Sequence, residues 1–266
     1  MKLPKITTQT FRDRKDTGVK ITVLTAYDYP GAALVDEAGI DAVLVGDSLG
    51  TAVMGLPDTL GVTISDILHH TRMVSRAVKS AMIIADMPFL SYQINPEEAL
   101  RNAGRLIAEA GAQAVKLEGS AEKHGAAIKA IIQAGIPVMG HIGLTPQSVH
   151  QFGGFKVQGR TPEAQIRLKE EALGLQAAGC FSIVLECIPV DLAASITQSL
   201  KIPTIGIGAG PHCDGQVLVM HDILGWGKTR FSKCYSDVRS AMRKAFAEFA
   251  SEVRDGSYPD KEHTYE

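Results

Sequence analysis

Six charged or titratable residues sit at or near the ends of short apolar runs in this 266-residue sequence, and their types define the chemistry it could perform. Asp47 follows AVLVG, Asp86 follows MIIA, and Glu186 ends SIVLE. Lys116 and Glu118 belong to the run AVKLE, and His141 follows VMG. Strand side chains alternate between faces. Lys116 and Glu118 therefore share one face, and Val115 and Leu117 the other. A buried Lys–Glu pair stabilises a fold weakly, because desolvation offsets the attraction; that points the pair toward function. Carboxylates on several strands suit a hard cation, and Mg2+ takes one or two of them while keeping several waters. No H-x-H, H-E-x-x-H or C-x-x-C spacing supports a transition metal. Glu186, on a different strand, is placed to act as a base on a substrate held by that cation. His141 reads either as a satisfied core histidine or as a supporting group. Asp28, Asp191 and Asp222 read as helix caps as readily as site residues.

A phrase that recurs along the chain supplies the elements that must position these groups. Ala38-Gly39, Ala110-Gly111, Ala134-Gly135 and Ala178-Gly179 each come directly before an apolar run. This is the pattern of a helix ending on a left-handed glycine and passing at once into a buried strand. Runs without the phrase occur at 21–26, 82–85, 203–207 and 217–220, giving about eight strand candidates. Helical faces lie between most of them, for example Ile67, Thr71, Val74 and Val78. A last helix carries Val238, Met242, Ala245, Phe246, Phe249 and Val253; its face reads as a cover for the barrel in preference to a subunit interface. Strand alternating with helix implies a parallel sheet, and about eight such units in roughly 250 residues imply a (β/α)8 barrel. A doubly wound open sheet is the competing architecture. One domain over 1–266 is expected, with an N-terminal extension and a C-terminal helix. The loops at 47–63 and 140–160 both follow strands, where barrel enzymes build their sites. The glycines at 206, 208 and 210 match neither a dinucleotide fingerprint nor a phosphate loop; they read as room for a ligand or another loop.

Composition narrows the function classes. With 27 Lys and Arg against 29 Asp and Glu, the net charge is −2, without the basic excess of a nucleic-acid binder. No apolar run reaches the roughly 18 residues of a membrane span. The polar N-terminal stretch lacks the apolar core of a signal peptide. The four cysteines have no paired spacing and read as reduced thiols in a cytoplasmic protein.

Nine motifs then run in a recognisable order: LTAYD (24–28), LVGDSLG (44–50), ADMPF (85–89), VKLEG (115–119), GHIGLTPQ (140–147), FGGFKVQG (152–159), LECIP (185–189), IGIGAG (205–210) and VLVMHD (217–222). Together they resemble the ketopantoate hydroxymethyltransferase family over nearly the whole chain. The resemblance implies a (β/α)8 barrel, Mg2+, and 5,10-methylenetetrahydrofolate as co-substrate. It implies hydroxymethyl transfer to 3-methyl-2-oxobutanoate through a Mg-stabilised enolate, giving 2-dehydropantoate in the first committed step of pantothenate synthesis. By motif match, Asp47 and Asp86 would bind the metal, with Glu118 directly or through water. Asp47, Ser48, Asp86 and Lys116 would hold the 2-oxo acid, and Glu186 matches the proton acceptor. A homo-oligomer, a decamer, is also implied. The sequence departs from the family pattern after Asp222, where a Gly-Pro loop is usual. The rival reading is another Mg-dependent enolate enzyme of the isocitrate lyase and phosphoenolpyruvate mutase type, but the reactive cysteine loop typical of that class is missing from this sequence. The other rival is a barrel kept only for binding, which the presence of every matched site residue disfavours.

Overall fold

Strand formation follows the apolar runs closely. In a computed structural model, which describes residues 4–227 and 229–265, eight strands form: β1 Ile21–Thr25, β2 Ala42–Val45, β3 Met82–Asp86, β4 Ala114–Glu118, β5 Val138–Gly143, β6 Ser182–Glu186, β7 Thr204–Ile207 and β8 Gly215–Leu218. Each pairs in parallel with the next, and β8 pairs with β1, so the sheet is a closed barrel. The (β/α)8 reading holds and the open sheet does not. Helices Tyr29–Glu37, Ile64–Ala77, Pro96–Ala108, Ala121–Gln133, Pro162–Ala178 and Val190–Ser199 link the first seven strands. Residues 208–214 join β7 to β8 without a helix.

The recurring Ala-Gly phrase does what its chemistry requires. Gly39, Gly111, Gly135 and Gly179 have φ of 76°, 81°, 84° and 100°, a region where a Cβ would be strained. Each helix therefore stops at its glycine, and the chain enters the next strand within a few residues.

Period two then sorts each strand. Ile21 and Val23, Ala42 and Leu44, Met82 and Ile84, Ala114, Met139, Val184, Ile205 and Val217 form one buried cluster. The helix Thr8–Thr17 adds Phe11, fully buried and edge-on to Phe181 at 5.6 Å. Its Arg14 pairs with Asp41 at 2.5 Å and its Lys15 with Asp214 at 2.7 Å. Both acids directly precede strands, so this helix closes the amino-terminal end of the barrel. Continuing the same alternation by two residues from Ile84, Ala114, Met139 and Val184 reaches Asp86, Lys116, His141 and Glu186. The polar groups are thus the upper continuation of the apolar core.

The structure corrects one sequence expectation. The eighth strand lies at 215–218 rather than 217–220, because Gly215 must pass close to β1: a Cβ there would stand 2.4 Å from the Ile21 carbonyl oxygen. His221 and Asp222 consequently leave the strand for a short helix, Met220–Ile223. The chain forms two compact units, Met1–Val219 and Met220–Glu266. In the second unit the helix Val238–Asp255 buries no residue, and Met242, Phe246, Phe249 and Val253 are all exposed. No described helix is long and apolar enough to cross a membrane.

Candidate active site

The carboxyl ends of β3, β4, β5 and β6 carry the site, and the strand register fixes who faces whom. Asp86 lies opposite Lys116, Glu118 opposite His141, and Gly143 opposite Glu186. Lys116 Nζ is 2.6 Å from Asp86 Oδ1, with both side chains almost wholly buried. Lys116 Nζ also lies 3.4 Å from His141 Nδ1. That imidazole bridges the site: Nδ1 is 3.5 Å from Glu118 Oε1, and Nε2 is 3.2 Å from Glu186 Oε2. The two open readings of His141 merge here, because it is a buried histidine in contact with Lys116, Glu118 and Glu186.

Asp47 and Ser48 follow β2. The Asp47 amide donates to Asp86 Oδ2 at 2.9 Å, and Ser48 Oγ lies 2.8 Å from the buried Tyr27 hydroxyl. All the predicted site residues therefore fall on adjoining strand ends. The capping readings also separate. Asp28 accepts from Gly31 N at 2.7 Å as the cap of its helix. Asp191 lies in the first turn of Val190–Ser199, and Asp222 belongs to the second unit.

Two residues absent from the predicted set complete the geometry. Gln147, on the 3-10 turn Pro146–Ser148 after β5, donates from Nε2 to Asp47 Oδ2 at 2.9 Å and from its backbone to Glu118 Oε2 at 3.0 Å. Tyr92, after β3, places its hydroxyl 2.9 Å from Gln147 Oε1 and 3.0 Å from the Glu118 carbonyl oxygen. Gln147 lies within the GHIGLTPQ motif, but neither residue has a periodicity or charge that marks it in sequence.

The electrostatics follow from burial. Desolvation pushes Asp86 up to about 7; Lys116 pulls it down, and Asp47 adds to the rise. Burial and then Asp47 hold Glu118 well above the carboxylate range, against Lys116. Burial opposes the charge on Lys116, but Asp86, Glu118 and Asp47 outweigh it and raise its pKa. Burial, reinforced by Lys116, holds His141 far below the usual imidazole value, so it is neutral. Burial pushes Glu186 up to about 7, with Lys116 opposing. Its side chain, 14% exposed, is more open than those of its neighbours.

This donor set fits a hard divalent cation. Asp47, Asp86 and Glu118 are buried together against a single ammonium, leaving two negative charges uncompensated when all are ionised. Among the described residues, no group of three or more His, Cys, Asp or Glu is gathered tightly enough to hold a metal unaided. Mg2+, which uses one or two carboxylates and fills its shell with water and substrate oxygens, suits that arrangement.

The β5–β6 pairing leaves no room at Gly143. Its φ is 96°, and a Cβ there would stand 2.2 Å from the Glu186 carbonyl oxygen. Gly143→Ala is expected to destabilise the protein by about 1–3 kcal/mol from backbone strain alone, with activity falling as Glu186 shifts. Urea denaturation and steady-state kinetics on the same preparation check this.

Comparison with known proteins finds relatives along nearly the whole chain. The ketopantoate hydroxymethyltransferase family model matches residues 5–261. The 3-methyl-2-oxobutanoate hydroxymethyltransferase of Syntrophomonas wolfei is 52% identical over 266 residues, covering 99% of this chain and 96% of the relative. That of Syntrophus aciditrophicus is 54% identical, covering 98% and 97%. Among solved structures, phosphonopyruvate hydrolase in complex with oxalate and Mg++ aligns with a TM-score of 0.65 at 17% identity, covering 96% of this chain and 92% of that one. At that identity the likeness is one of fold.

Proposed function

The chain belongs to the ketopantoate hydroxymethyltransferase family, a family of transferases, and from that premise we propose that it moves a hydroxymethyl group from 5,10-methylenetetrahydrofolate to 3-methyl-2-oxobutanoate, giving 2-dehydropantoate. The observation that carries this reading is the placement of Glu186. It is a buried carboxylate with a pKa near neutrality, 3.2 Å from a neutral imidazole, in the same barrel mouth as the Asp86–Lys116 pair.

Asp47, Asp86 and Glu118 would hold Mg2+, Glu118 directly or through water. A fold neighbour solved in complex with oxalate and Mg++ is in keeping with that choice. When bound, the cation would polarise the keto oxygen and help spread the charge of an enolate. Lys116 supplies positive charge at the same oxygens and keeps its proton, held by Asp86 and Glu118. Asp47, Ser48 and Asp86 would hold the 2-oxo acid together with Lys116. Glu186 takes the proton from C3, and the C–H electron pair passes into the enolate. The one-carbon unit would be released from the folate by hydrolysis: water oxygen bonds to the methylene carbon, both C–N bonds break, and the two water protons leave on the nitrogens of tetrahydrofolate. C3 would then bond to the freed formaldehyde carbon, the C=O electrons would pass to oxygen, and that oxygen would take the proton held by Glu186. The product enters pantothenate synthesis.

We also propose a homo-oligomer, a decamer, supported by the exposed apolar side chains of the helix Val238–Asp255. A cytoplasmic setting is in keeping with four free cysteines. The discriminating experiment supplies 3-methyl-2-oxobutanoate, Mg2+ and 5,10-methylenetetrahydrofolate. Folate-dependent 2-dehydropantoate is the expected product. Folate-independent cleavage of a 2-oxo or 2-hydroxy acid, with no 2-dehydropantoate, would replace this reading with a lyase of the isocitrate lyase type.

A further inference from the structure

Gln147 is the point at which carboxylates from two different strands meet one residue. Its side-chain amide offers two N–H donors and a carbonyl with two lone pairs, and each has a partner. Nε2 donates to Asp47 Oδ2 at 2.9 Å and to the Met87 carbonyl at 3.1 Å. Oε1 accepts from Gln93 Nε2 at 3.1 Å and shares the Tyr92 proton, at 2.9 Å, with the Glu118 carbonyl. Rotating the amide by half a turn would set its oxygen against two other acceptors, so one orientation is imposed. The Gln147 backbone N–H meanwhile donates to Glu118 Oε2. Tyr92 closes the loop by accepting the Glu118 backbone N–H at 3.1 Å. Gln147 is 6% exposed, so water does not compete for these bonds.

Asp47 and Glu118 are buried in the same barrel mouth, and when both are ionised, as ligands to a cation must be, they repel. One residue from the loop after β5 donates to both, on the end of β2 and on β4, and so sets their separation. We propose that Gln147 is a positioning residue for cation binding: with Tyr92 behind it, it holds Asp47 and Glu118 at a fixed spacing before the cation arrives. This role rests on Asp47 and Glu118 holding the cation, as proposed above. The physical gain is preorganisation. Groups fixed beforehand need not be brought together against their repulsion when the ion binds, and outer partners of this kind commonly change metal affinity by about 10- to 100-fold. Gln147 itself touches neither the proposed base nor the Asp86–Lys116 pair through any hydrogen bond in the structure.

The test is Mn2+ binding to the full chain without substrate, read by electron paramagnetic resonance of the free ion and by calorimetry. Wild type is expected to bind, and Asp47→Asn to lose most of that affinity. Gln147→Met keeps the volume and the backbone donor to Glu118 but removes the amide. Its Kd for Mn2+ is expected to rise about 10- to 100-fold. With Mg2+ raised to saturation, its kcat should return to within a few-fold of wild type, a split that general loss of structure would not give. Tyr92→Phe is expected to raise the Kd by a smaller factor, since the amide stays. If wild type and Asp47→Asn bind Mn2+ equally, or neither binds it, both the cation site and this role are overturned. If Asp47→Asn loses the ion and Gln147→Met keeps wild-type affinity, the role of Gln147 alone is overturned. Should Gln147→Met fail to fold, unchanged affinity in Tyr92→Phe overturns it.

Discussion

Replacing Glu186 by Gln is expected to abolish exchange of the C3 proton of 3-methyl-2-oxobutanoate with deuterated water, by about a hundred- to ten-thousand-fold. Exchange isolates the first chemical step, because it needs the base and the cation but no folate. Proton NMR of the substrate in deuterated buffer with Mg2+ reads it directly. The wild-type rate should rise with pH, since the base works only when deprotonated. Burial pushes Glu186 up to about 7 in the protein alone, and a bound cation adds to the lowering by Lys116. The inflection therefore falls at or below about 7. Stability should move the opposite way. A carboxylate whose folded pKa exceeds its unfolded value binds its proton more tightly in the fold, so it costs stability as pH rises from the unfolded value through the folded one. Glu186→Gln removes a charge the fold keeps at a cost, and above pH 7 should gain stability on the order of 2 kcal/mol. A purely structural Glu186 predicts the reverse: exchange retained and stability lost.

That opposition between activity and stability explains which parts of the molecule were legible in its sequence. The barrel was legible because it obeys two simple periodicities. Strands buried on both faces read as apolar runs, and each Ala-Gly phrase marks a helix end by backbone sterics alone. The charged site was legible for the converse reason. Asp86, Lys116, Glu118 and Glu186 break apolar runs in which burial would otherwise exclude them. Gln147 and Tyr92 break no such rule. A polar residue on a loop is ordinary, and only the fold shows that Gln147 is 6% exposed with every amide atom bonded. The start of β8 escaped because Gly215 and Gln216 extend no apolar run, although the approach of Ile21 requires that glycine.

Lys116→Met should lose both function and stability, with the stability loss governed by pH. The substitution leaves Asp86 buried without its ammonium, 2.6 Å away in the native site. Breaking one side of a buried pair costs up to about 3–5 kcal/mol, but that full cost applies only while Asp86 stays ionised. Its pKa already stands at about 7 with Lys116 present, and removing the ammonium raises it further. The folded state then takes up a proton that the unfolded chain, with an ordinary Asp, does not hold. Its stability therefore recovers as pH falls through the folded pKa toward the unfolded value near 4. Urea denaturation of the metal-free protein should show a large deficit at pH 8.5 and a smaller one at pH 6. Adding Asp86→Asn removes the stranded charge and should restore most of the stability at pH 8.5. It should not restore catalysis, because the double variant lacks both the positive charge at the substrate oxygens, worth about a hundred- to a thousandfold in rate, and a proposed cation ligand. An equal deficit at both pH values would show that Asp86 is not the charge Lys116 balances, and recovered turnover in the double variant would remove Lys116 from the chemistry.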